Sequence, residues 1–393
     1  MKWEGKQKTV TITYGCADIR VNMTDVPEES PVTLPDDLSL ELGFDLIPLV
    51  EKDKGAELLE RVQGVRRQMT LDLGLVIPKV HIIDNSLLEK SEYRIMIKGV
   101  DMGRGKIRHD NSKKIKHILW HSGIFITMGY FLCINPGTVT AEIKGEKTVD
   151  PAFGLPALWV HADRLDEAKR AGYTVADSPS VIATHLTEII RRHSADLLGL
   201  QNTHDILETI YNDYPAVVSE VLHAGLRVAE IQKVLQGLLK EQVSIRNMVS
   251  ILESIAYNAR ISSDILFLTE RARQALANQI CRQYADKDNC MHVLTIDPAL
   301  EQKIIESKAA TSSGIACILD PPTHSKWIKA VGKAVATVVE KGWMPVILCH
   351  GQARFLVKYS TSRELPELAI LSVEEIADGF TVESVGEIRI DDK

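Results

Sequence analysis

The sequence predicts a mixed α/β chain made of several subdomains, and three stretches of periodicity carry that reading. Between Leu38 and about residue 197, strand and helix patterns intermingle. From about 200 to 285 the spacing is helical almost without a break, and after Asp288 short β-type runs alternate with helical ones, as in a largely parallel sheet. A chain of 393 residues, with 45% hydrophobic and 25% charged side chains, has length for roughly two to four packed units.

The elements follow in order. The alternation KTVTITYG predicts a short strand and PEESPVTLPDD a linker. ELGFDLIPLV, 41–50, reads as a strand, and GAELLERVQGVRRQM as a helix with Leu58, Leu59, Val62, Val65 and Met69 at helical spacing. SEYRIMIKGV alternates like a strand. Residues 108–129, basic in the first half and apolar in the second, fit no single amphipathic template and read as a surface excursion. YFLCINPG and AEIKGEK resemble short strands around turns. DPAFGLPALWV, 150–160, is too broken by Pro and Gly for a helix and too apolar for an ordinary surface loop.

Ser178 and Pro179 then suit an N-cap and first helical position, ahead of an apolar stripe of Val181, Ile182, Leu186, Ile189 and Ile190 that Gly199 would close. Ile231, Val234, Leu235, Leu238 and Leu239 line one helix of the next region, and Ser244 reads as a cap before Met248, Ile251, Leu252 and Ile255. HVLTI, ACILD, MPVILCH, LAILS and TVESVGEIRI read as strands. Between them, Trp327, Ile328, Val331, Val335 and Val338 share one face of a helix.

Composition excludes several functions. Forty-six basic against fifty-three acidic residues give a net charge of -7, which opposes broad attraction to nucleic acid, and Lys113, Lys114 and Lys116 read as a solvated loop. Six cysteines at 16, 133, 281, 290, 317 and 349 form no Cys-x-x-Cys pair, so reduced thiols are expected and no zinc motif is spelled out. MKWEGKQK has no apolar signal region, and the longest apolar run, Gly123 to Ile134, falls short of the roughly 20 residues that span a bilayer.

GVDMGRGKI, 99–107, has the glycines and lysine of a phosphate loop in the wrong arrangement, with no Ser or Thr after Lys106, and reads instead as a turn ending a strand. AVGKAVA, 330–336, fails the same way. His185 and His193 stand eight apart without a third ligand, and His117 and His121 read as solvated side chains. With no Gly-x-Ser-x-Gly elbow or evidently activated cysteine, the expectation is a non-enzymatic protein without cofactor or metal, against the rival readings of an enzyme with an unrecognised pocket and of a purely structural subunit.

Several phrases are similar, in order and spacing, to one family. LELGFDLIPLVEKDKGAELLERVQGVRRQ, LGLVIPKVHIIDN, EYRIMIKGV, DPAFGLPALWV, AGYTVADSPSVIATHLTEII, LLGLQ and KVLQGLLKEQVSIRNMVSILESIA resemble the cytosolic domain of the FlhA family of flagellar export-gate proteins. The resemblance is specific over 38–285 and looser through the closing LSVEEIADGFTVESVGEI. It implies an N-terminal segment and linker at 1–37 and a first α/β subdomain at 38–136 plus 178–197. A small inserted subdomain at 137–177, a helical one at 198–290 and an α/β one at 291–393 complete the set.

The family carries a multi-helix membrane domain ahead of this region, so the resemblance implies a soluble portion at the cytoplasmic face of the bacterial inner membrane. It also implies a homo-oligomeric ring, expected to be a nonamer, with three classes of partner: export chaperones carrying filament-type substrates, export ATPase components and other gate membrane proteins; no nucleic-acid partner is expected from the net charge. The residues that border the family's chaperone-cargo cleft match Asp150, Phe153 and Thr184. The prolines and glycine around Phe153 would hold it as a fixed apolar anchor, with Asp150 as an orienting acceptor.

Alternatives remain open at each position. Phe153 and Trp159 could plug the core where subdomains meet, the better reading for Trp159, and Thr184 could be a packed helix residue. LIPLVEKDKG and DPAFGLPA resemble the flagellar branch rather than the related virulence-secretion branch. Residues 109–129 exceed the compact family pattern, a departure that falls next to the cleft.

Overall fold

A computed structural model describes residues 9–14, 17–22, 35–51, 57–108, 129–311 and 314–390. The basic and apolar stretch that includes His117, His121 and Lys113 lies outside them. Strands β1 (Thr9–Tyr14) and β2 (Ala17–Asn22) form an antiparallel pair.

The first sheet has the order β4-β3-β5-β6, from β3 (Leu38–Leu42), β4 (His81–Asp84), β5 (Glu92–Ile97) and β6 (Val100–Lys106). β3 pairs parallel to β4 and antiparallel to β5. The strand expected over 41–50 ends at Leu42, and Phe44–Leu49 turns as a 3₁₀ helix. Gly43 and Asp45 donate their N–H groups to Glu92 and Lys90 carbonyls, both at 2.8 Å, which pulls the chain off the strand line, and Pro48 could not continue a ladder.

Helix α1 (Glu57–Leu73) buries Leu58, Val62, Met69 and Leu73 at helical spacing, against the helix of 178–192.

The second sheet, order β10-β7-β9-β8, is antiparallel throughout. It contains β7 (Tyr130–Ile134), β8 (Glu146–Val149), β9 (Pro156–His161) and β10 (Thr174–Ala176), with α2 (Leu165–Arg170) between the last two. β7 therefore belongs to this sheet, on the far side of the expected boundary at 136. A small core of Cys133, Ile143, Val160, Ala168, Ala171 and Tyr173 supports it.

α3 (Ser178–Arg192) returns the chain to the first unit with Val181, Ile182, Leu186, Ile189 and Ile190 buried. Its cap is Asp177 rather than Ser178: the Asp177 Oδ1 accepts from Ser180 N–H at 2.8 Å, and Oδ2 takes Arg61 at 2.8 Å. An Asp one residue earlier accepts that bond with full charge, leaving Ser178 and Pro179 in the first turn. Gly199 does not close α3. A short α4 (Ser194–Leu197) intervenes, and Gly199 begins α5 (Leu200–Asp213).

The helical unit continues with α6 (Pro215–His223), α7 (Val228–Lys240), α8 (Met248–Ala259), α9 (Ile265–Ala275) and α10 (Ala277–Tyr284). Ile231, Val234, Leu235, Leu238 and Leu239 of α7 are all buried. Ser244 does not cap α8; Asn247 occupies that position without a side-chain bond.

The last unit runs β11 (Cys290–Ile296), α11 (Pro298–Glu306), β12 (Lys308–Thr311), β13 (Gly314–Cys317), α12 (Pro321–Glu340), β14 (Val346–Cys349), α13 (Gly351–Thr361), β15 (Ala369–Ser372) and β16 (Thr381–Ile388). Its sheet, β15-β14-β11-β16, is parallel as expected, whereas the strand in ACILD forms a separate antiparallel pair with β12. Met291, Val293 and Val346 join the core of the helical unit, and Ile347 and Ile296 pack with Trp327 and Val331 in a second core. Both faces of a parallel sheet are thereby covered.

A buried ionic network joins the helical and last units. Arg354 of α13, fully buried, bonds Glu241 at 2.7 Å and also Glu270 of α9. Arg273 of α9 bonds Glu375 at 2.6 Å and Glu241 at 3.2 Å. Among the described residues, no helix is long and apolar enough to cross a membrane.

Candidate functional site

The turn between β8 and β9 is built by its own backbone and one carboxylate. Asp150 N–H donates to Leu155 O at 2.8 Å, Gly154 N–H to Asp150 O at 2.9 Å, and Phe153 N–H to Asp150 Oδ2 at 2.8 Å. Gly154 has φ +70°, a conformation glycine adopts without steric penalty. Inside the turn, Asp150 and Ala152 are buried at 3% exposure. Outside it, Val149, Phe153 and Leu155 are exposed at 60, 53 and 39%.

Phe153 is thus displayed, and the alternative of a core plug does not apply to it. Trp159 is buried on β9, in the core. Asp150 differs from its expected role: its side chain is enclosed and spent on holding the turn, because a buried carboxylate must find donors and the nearest is the Phe153 amide. Thr184 lies exposed on α3 rather than packed. Val149 and Leu155 escaped the sequence reading; their position beside Phe153 in an apolar run was the available signal.

Asp150 also reaches the first sheet electrostatically. Tyr93 of β5 is fully buried, and burial, with the Asp150 carboxylate adding to it, pushes the phenol well above its ordinary range. Its hydroxyl lies 2.9 Å from His185 Nδ1 on α3, next to Thr184. A protonated Tyr93 can donate to Nδ1, which places the ring proton on Nε2. The Tyr93–His185 bond therefore ties β5 of the first sheet to the helix that carries Thr184.

Two glycines of GVDMGRGKI make room for this pair. A Cβ on Gly105 would stand 2.5 Å from Tyr93 Oη, and one on Gly103 would stand 2.8 Å from His185 Nε2. They let β6 lie close over the pair, and no phosphate cradle is involved. His193 is separate from His185 and bonds Asp196 at 3.1 Å.

Burial, and to a lesser degree the Arg192 guanidinium, push the His185 imidazole down from 6.5 to about 4. The folded chain therefore refuses a proton that the unfolded chain accepts between those values, so stability is complete above about 6.5 and falls as pH drops toward 4. Urea midpoints measured across that window should decline in the wild type and decline less in His185→Gln, whose amide oxygen can still accept from Tyr93. Equal slopes would show that His185 does not govern the acid response.

The FHIPEP family pattern matches residues 18–381. The flagellar biosynthesis protein FlhA of Borreliella burgdorferi is 40% identical over 363 residues, covering 92% of this chain and 49% of its own length. The chain thus spans about half the length of that curated relative. The Chlamydia pneumoniae CdsV structure aligns with a TM-score of 0.76 at 25% identity, over 92% of this chain and 100% of that one. The nonameric EPEC SctV-C structure aligns at 0.70 and 19% identity, over 91% and 99%. Matched across most of its length by the family pattern and by an FlhA relative, the chain belongs to the FHIPEP family.

Proposed function

We propose that the chain is the docking platform of a flagellar type III protein export gate, receiving export chaperones with their filament-type substrates and passing the substrates toward a membrane channel. The observation that carries this reading is a rigid turn that displays Val149, Phe153 and Leu155 to solvent while its own carboxylate stays inside. Such a turn has little conformational entropy left to lose when a partner covers it. Thr184 offers a hydroxyl on the adjoining helix, and Asp150 acts by positioning Phe153. The identity to FlhA favours the flagellar branch over virulence secretion. The nonameric relative supports assembly into a ring beneath the other gate proteins, beside the export ATPase.

Phe153→Ala should weaken binding of a purified export chaperone loaded with its filament subunit by about tenfold or more, with an unchanged thermal midpoint. Asp150→Ala should weaken binding and also lower the midpoint, because the Phe153 amide loses its acceptor. Identical titration curves for wild type and Phe153→Ala would remove the turn from the docking face.

A further inference from the structure

The start of β11 holds a group of ligand atoms that the docking reading does not use and that does not depend on it. Cys290 and His292 stand two residues apart on one face of the strand, while Met291 and Val293 turn inward to the core. The turn DKDNC leads into them. Within it, Asp286 Oδ1 accepts from Asp288 N–H and Cys290 N–H, both at 2.9 Å, and Asp286 N–H donates to Cys290 O at 2.9 Å. Asp286 Oδ2 is left facing His292 Nε2 at 3.2 Å. One carboxylate oxygen thus fixes the loop, and the other stays beside the imidazole.

We propose that Asp286, Cys290 and His292 form a binding site for one divalent transition metal of the zinc class. Their ligand atoms all lie within 4.8 Å of one another. The 3.2 Å separation of carboxylate oxygen and imidazole nitrogen is about the edge of a tetrahedron with metal–ligand bonds near 2.0–2.1 Å. A thiolate, an imidazole and a carboxylate select zinc-like ions over magnesium or calcium, and water completes the fourth position.

Two further features order the imidazole. Its ring stacks on Trp343, with centroids 4.1 Å apart and planes 13° from parallel, which fixes the plane in which Nε2 points. Its Nδ1 is buried without a hydrogen bond, yet Glu383 Oε2 on the neighbouring strand β16 stands 3.1 Å away, close but not aligned. A small rotation of the exposed Glu383 makes the carboxylate–histidine–metal relay that holds the Nε2 lone pair toward the ion. Binding displaces the Cys290 thiol proton to solvent, so affinity rises with pH. By contrast His204, Asp205 and Glu208 are all exposed on α5, with no comparable ordering.

Titration of the metal-free chain with cobalt(II) chloride tests the site, because a cysteine thiolate on Co²⁺ gives a near-ultraviolet charge-transfer band. The expected result is one equivalent of band, bleached by zinc, abolished in Cys290→Ser, and weakened in Asp286→Asn, which keeps the acceptor for the turn. Glu383→Gln should reduce affinity about 10- to 100-fold. Absence of the band, or a band that persists in Cys290→Ser, overturns the proposal. Each variant is scored only against a wild-type far-ultraviolet circular dichroism spectrum; should Asp286→Asn fail to fold, Cys290→Ser decides.

Discussion

Arg354→Met should lower the stability of the protein by about 3–5 kcal/mol, the largest loss expected of any single side chain here. Arg354 is fully buried between Glu241 at the end of α7 and Glu270 of α9, and removing it takes away the guanidinium that bonds both carboxylates, leaving Arg273 and the more distant Lys358 to offset them. Burial alone would raise Glu241, but the Arg354 and Arg273 guanidiniums outweigh it and hold the carboxyl at about 2. Burial raises Glu270, and Arg354 offsets only part of that.

For Glu241 the folded value lies below the ordinary 4.5, so its contribution is complete above 4.5 and is lost as pH falls toward about 2. Thermal denaturation should report the loss in Arg354→Met, and hydrogen exchange should place it in α13 and β15, where the last unit meets the helices. Replacing Arg354, Glu241 and Glu270 together by Met should recover most of it, because the penalty belongs to uncompensated charge rather than to missing attraction. A single-variant loss under about 1 kcal/mol would show that water reaches the network and screens it.

Gly74→Ala should cost about 3 kcal/mol, for two separable reasons. Gly74 ends α1 with φ +73°, and a Cβ there would lie 2.3 Å from Arg246 N and 2.4 Å from Arg246 Cα. The clash is with backbone, which cannot rotate aside. Beside it, Ile245 N–H donates to Leu73 O at 2.8 Å, so this close approach seats the helical unit on the first one. Gly154→Ala separates the terms: its φ is +70° but nothing lies within 4 Å of the added atom, so it should cost only about 1 kcal/mol. Chemical denaturation of both variants measures the difference, and equal losses would mean that the contact with Arg246 relaxes freely.

Much of the fold was legible because it is written in local spacing. The stripe Val181, Ile182, Leu186, Ile189 and Ile190 is buried as its 3.6-residue period requires, and so is that of Ile231 to Leu239. The parallel sheet followed from alternating strand and helix signals. Boundaries were less legible, since they depend on which neighbour supplies a bond. FDLIPLV left the strand because Gly43 and Asp45 found carbonyls at the start of β5 and just ahead of it, and α3 took its cap from Asp177 because that carboxylate meets Ser180 N–H.

Residue types alone determined the amphipathic faces, the strand alternations and the family phrases that single out Asp150, Phe153 and Thr184. Only tertiary structure decided that Asp150 points inward while Phe153 points out, and that Gly103 and Gly105 make room for Tyr93 and His185. It also decided that Arg354 meets partners 84 and 113 residues away, and that Tyr93 meets His185 across 92. The reason is that periodicity records only which side of an element faces the core. Which polar groups meet there depends on how separate elements cross, and a buried polar group takes whichever partner that crossing provides.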